Sequence, residues 1–160
     1  TIHSSRTRFA GRLNSGVRPM SARQFDAEFK RAWRLGWLSS IQEYSDYGLQ
    51  EISWIGGLEP NNPHWSYAEL LCSYFHGSGV EEGYDDYVRD GLVSAAEAQA
   101  VARFHAAADS YQPPHGDVYG HAAILADPKW HQVVSSALAA RKVLLSLLTD
   151  PDEIATLTGP

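Results

Sequence analysis

The chain predicts an all-α fold, an irregular orthogonal bundle of about six or seven helices. Three observations lead there. Apolar residues recur three and four apart along most of the sequence. Ser-x-x-Glu/Gln boxes and Asp-Pro pairs mark helix starts. Glycines and a Pro-Pro pair then break the pattern into segments of unequal length. Only the stretch near 49–58, with Ile52, Trp54 and Ile55, leaves room for one short strand pair.

Taken in order, Ser21 with Gln24 forms a capping box that opens the first helix, with Phe25, Phe29, Ala32 and Trp33 on one face. Gly36 reads as its stop. A second short helix follows over 37–47, with Leu38, Ile41 and Tyr44 in a stripe. Gly56-Gly57 and Pro60-Asn61-Asn62-Pro63 are loop chemistry. Helix resumes at His64 or Trp65 and runs to His76, carrying Tyr67, Leu70, Leu71, Tyr74 and Phe75, with Gly77 as the stop.

Residues 81–90 predict an acidic helix closed by Gly91 and the hydrophobic contact of Leu92. Ser94 with Glu97 is a second capping box, opening a helix to about Tyr111 with Val101, Phe104, His105 and Ala108 inside; Pro113-Pro114 breaks it. The longest stripe begins at Asp127-Pro128. Trp130, Val133, Val134, Ala137, Leu138, Leu144, Leu145 and Leu148 are its expected buried face. Asp150-Pro151 repeats the start signal for a short final turn.

With 160 residues, 44% hydrophobic and 20% charged, the chain suits a single domain with one core. That domain is expected over residues 20–160. Residues 1–19 hold Arg6, Arg8, Arg12 and Arg18 and no acid, and Met20 follows. They read as a basic leader, either added ahead of Met20 or disordered, and stand apart from the fold.

The net charge of −6 hides this asymmetry. Between Gly36 and Asp127 stand fourteen acids against two bases, Arg89 and Arg103. Such a body repels nucleic-acid backbone and anionic membrane and attracts cationic partners. No run approaches the ~20 apolar residues of a membrane span, and the first residues lack the apolar core of a signal peptide. The lone Cys72 excludes an internal disulfide and suits a reducing compartment. A soluble, cytoplasmic protein is expected, with no cofactor and with a homo-oligomer left open.

Two groups of residues carry the functional readings. Glu81, Glu82, Asp85, Asp86 and Asp90, interleaved with Tyr84 and Tyr87, form an expected docking face for a basic protein: carboxylates for complementarity, rings as anchors. The second group, His115, Asp117 and His121, has the residue types of a loop metal site, and a metal-assisted hydrolase is the alternative. Cys72, among apolar neighbours, reads as a core thiol, and His105, four residues before Asp109, as an oriented core histidine.

In size, acidity and aromatic content the chain is similar in general character to the small acidic immunity proteins of bacterial toxin systems. The resemblance implies a protein that neutralises or regulates its basic partner by binding it.

Overall fold

The computed structural model describes residues 25–55 and 66–160. The described residues form eight α-helices: α1 Ala27–Ser45, α2 Tyr47–Trp54, α3 Tyr67–Cys72, α4 Asp85–Arg89, α5 Ala95–Ser110, α6 His121–Ala126, α7 Pro128–Leu147 and α8 Pro151–Thr158. A π-helical turn, Ser73–Gly77, continues α3, and a 3₁₀ turn, Pro114–Gly116, precedes α6. No strand occurs among these residues: Ile52 and Trp54 lie on α2, so the strand pair near 49–58 is not formed over its described part. The rest of that pair, like the leader 1–19 and the Ser21–Gln24 box, lies outside the described residues.

Local capping chemistry sets most boundaries. Asp26, in extended conformation, accepts a hydrogen bond from the Phe29 amide at 2.7 Å and starts α1 later than expected. Gly36 does not end that helix. The run continues because Trp37, Leu38, Ile41 and Tyr44 are fully buried, and that packing outweighs the ~1 kcal/mol helix penalty of one glycine. Asp46 makes the actual break, closing α1 and capping α2 through the Leu49 amide. The complete Ser94–Glu97 capping box opens α5. Asp127-Pro128 and Asp150-Pro151 open α7 and α8.

Helix α7 packs against both α5 and α1, with α8 laid along α1. Tyr44 stands at the centre, in edge contact with Tyr74 and Phe104 and tilted against Trp130. The indole of Trp130 donates to Gln50 at 2.9 Å, satisfying its one polar atom within the core. On α7, Trp130, Val133, Val134, Ala137 and Leu144 are buried as expected, but Leu138 is 48% exposed and Leu145 half-buried. Leu138 lies about 80° around the helix from Trp130, off the buried stripe.

Candidate functional site

Glycine placement decides the shape of the acidic segment. Gly83, at φ +94°, closes a turn in which its amide donates to the Val80 carbonyl, so Glu81 and Glu82 lie in that turn. The helix begins only at Asp85, and the expected ten-residue acidic helix shrinks to one turn and a half. Its end is a complete Schellman cap: Leu92 donates to Tyr87, Gly91 donates to Val88, and Gly91 takes φ +77°. Arg89 relieves the remaining repulsion by pairing with Asp86 at 3.2 Å and Asp90 at 3.3 Å.

The two tyrosines of this segment part company. Tyr84 is buried: it accepts from the Trp37 indole at 2.9 Å and shares a 2.5 Å hydrogen bond with Tyr74. Burial pushes its hydroxyl up to about 12. It is a core residue rather than a docking anchor. Tyr87 faces the other way, stacks on Trp33 with ring centroids 5.2 Å apart and donates to the Gly79 carbonyl at 2.6 Å. Trp33 in turn donates to the Ser78 carbonyl at 2.9 Å. The π-turn thus delivers Ser78 and Gly79 to these two rings, and their hydrogen bonds hold the stack in place.

Phe25 and Phe29 extend the wall, stacked at 4.7 Å. Residues 26–32 are all exposed, and Arg31 among them pairs with Asp150 and Asp152 at the start of α8. Phe29 is 47% exposed. Together with Trp33 and Tyr87 these rings line a groove of about 580 Å³ that Glu82, Asp85, Asp86, Arg89 and Asp90 also line. Glu81 is not part of it; it pairs with His76 on the opposite side of the turn.

Of the residues expected to bind a partner, the structure therefore gathers Glu82, Asp85, Asp86, Tyr87 and Asp90 at one groove and sets Glu81 and Tyr84 apart. Phe25, Phe29 and Trp33, expected on one helix face, line the groove as well: Phe25 and Trp33 are half-buried against the core and Phe29 is exposed. Their spacing of four was visible in the sequence. What was not visible is that Phe29 stays about half exposed while Phe25 and Trp33 are partly covered.

The alternative metal site does not assemble. His115 is exposed on the 3₁₀ turn at φ +58°, Asp117 accepts locally from the Tyr119 amide at 3.0 Å, and the His121 ring lies 5.5 Å from that of Trp54. Among the described residues no group of three or more His, Cys, Asp or Glu side chains is placed to hold a metal ion. Cys72 is exposed, not core: it lies on the face of α3 away from Tyr67 and Leu70. His105 is half-buried and bonds the Tyr74 hydroxyl through Nδ1 at 2.9 Å. Burial lowers its pKa, partly opposed by the Asp109 carboxylate.

No family model, curated protein or solved structure matches the chain. The functional reading accordingly stands on the groove's own chemistry. No helix among the described residues is long and apolar enough to cross a membrane.

Proposed function

We propose that this protein is a small acidic binding protein, cytoplasmic in location, that docks on a basic protein partner and neutralises or regulates it in the manner of an immunity-protein-like inhibitor. One observation carries the reading: a fixed aromatic wall and a row of carboxylates meet in a single groove. Folding gains little from placing four acids there, since self-repulsion costs some stability and Arg89 offsets only part of it. A cationic partner resolves that repulsion, and the exposed rings supply apolar area for an anchor.

The test uses the partner recovered with the full chain from its native cell extract. Its affinity should fall as salt rises from about 0.05 to 0.5 M, chiefly through a slower on-rate, because the screening length shrinks from ~14 Å to ~4 Å over that range. Replacing Glu82 and Asp85 by Gln and Asp86 by Ser should weaken it further while the fold stays intact. Unchanged affinity and unchanged salt dependence in that triple variant would reduce the groove to ordinary solvated surface.

A further inference from the structure

We infer that the groove is an arginine receptor: a guanidinium of the partner lies flat on the exposed Phe29 ring while its N–H edge takes carboxylate oxygens of the same groove. The inference rests on the reading that a basic protein docks here, and it names the side chain that enters.

The groove is lined by two unlike kinds of side chain. One is aromatic: Phe29 is the exposed ring, beside Trp33, which already stacks on Trp37 and Tyr87, and hydrogen bonds to Ser78 and Gly79 fix Trp33 and Tyr87 in place. The other is acidic: Glu82 and Asp85 have no ion-pair partner among the described residues, whereas Arg89 already engages Asp86 and Asp90. A guanidinium suits both kinds at once: it is planar, weakly hydrated, stacks on aromatic faces and donates in a fork that matches a carboxylate. A lysine ammonium is a compact, strongly hydrated point charge and uses the carboxylates alone.

The chain already holds one of its own arginines this way. The Arg34 guanidinium lies 5.8 Å from the centre of the Trp37 ring while its nitrogens bond Glu97 at 2.7 Å and Glu153 at 2.7 Å. The groove repeats those parts, ring face and carboxylate pair, on the surface.

Hexa-arginine and hexa-lysine peptides carry equal charge, so simple attraction predicts equal binding. Each is titrated into the full chain at ~50 mM salt, where attraction is least screened, and Trp fluorescence is followed. The arginine peptide should bind about three- to tenfold more tightly, the added worth of ring stacking. Phe29→Leu keeps apolar area but removes the ring, and should bring the two affinities together without altering lysine binding. Because Phe29 is exposed, the variant should melt like the parent. Glu82→Gln with Asp85→Asn should weaken both peptides alike. Equal affinities in the parent, or a preference that survives Phe29→Leu, would overturn the arginine receptor and leave acidic docking standing. Failure of both peptides to bind would overturn both.

Discussion

The α-carbon of Gly79 faces the hydroxyl of Tyr87, which donates a 2.6 Å hydrogen bond to the Gly79 carbonyl. A methyl group at residue 79 would collide with that hydroxyl, and φ at +73° is strained for any side chain. Gly79→Ala should therefore cost roughly 1–3 kcal/mol and weaken basic-peptide binding by releasing Tyr87 from the wall. Gly83→Ala is the control: φ is +94° but a methyl there meets open space. Denaturant melts of the two variants decide the matter. A loss at Gly79 no larger than at Gly83, with binding unaltered, would show that Tyr87 simply moves aside.

On α7, two leucines separate the buried stripe from its edge. Leu144 is fully buried and Leu138 is 48% exposed. Leu144→Ala should cost about 2–5 kcal/mol and Leu138→Ala about 1 kcal/mol or less, since roughly half of the latter side chain stays in water on folding. Equal losses in urea unfolding would mean that Leu138 is covered in solution.

These comparisons also show what the sequence could reveal. Where a boundary is set by groups within one turn, it is legible: Ser94 with Glu97, Asp127 with Pro128 and Asp150 with Pro151 stand where their spacing places them. Gly36 misleads because burial of Trp37, Leu38 and Ile41 is a tertiary fact that overrides the glycine penalty. The acidic residues of the site were legible from charge density alone. Of its aromatic half, only Tyr87 was. Phe25, Phe29 and Trp33 have the same spacing whether a neighbour covers them or not, and only tertiary packing shows that Phe29 is left exposed while Phe25 and Trp33 are partly covered.

A buried relay makes stability depend on pH. The Trp37 indole donates to Tyr84, Tyr84 and Tyr74 share a hydrogen bond, and Tyr74 meets His105 Nδ1 at 2.9 Å. With neutral His105 accepting at Nδ1, every donor in the chain can point the same way; protonation forces Tyr74 to turn round. The folded pKa of His105 is lowered from 6.5 by burial, with Asp109 opposing. Its stabilising contribution is thus present above 6.5 and lost as pH falls through the folded value. Melting temperature should drop as pH falls from about 7 to 5, and His105→Gln should flatten that part of the profile. An unchanged slope in the variant would assign the dependence to other groups.

Arg34 ties three helices together, bonding Glu97 on α5, Glu153 on α8 and the Leu92 carbonyl. All three charged side chains are nearly buried, with 11% of Arg34, 8% of Glu97 and 12% of Glu153 exposed. Burial alone would raise the Glu97 carboxyl, but hydrogen bonds from Arg34 and Ser94 outweigh it and hold its pKa below the ordinary 4.5. Arg34→Met keeps much of the side-chain volume, removes the cation and strands two carboxylates in a poorly hydrated site. At pH 7 the loss should be about 2–4 kcal/mol, somewhat below the figure for a fully buried pair because some solvent reaches the site. The sign of the pH dependence follows from the depressed Glu97 value: the parent's advantage is present above 4.5 and lost as pH falls through the folded value. In the variant both carboxylates take up protons more readily, so the gap between parent and variant should narrow by pH ~4. Urea unfolding of both proteins at the two pH values measures this directly. A gap that stays constant would mean that Arg34 acts through packing on Trp37 rather than through its charge.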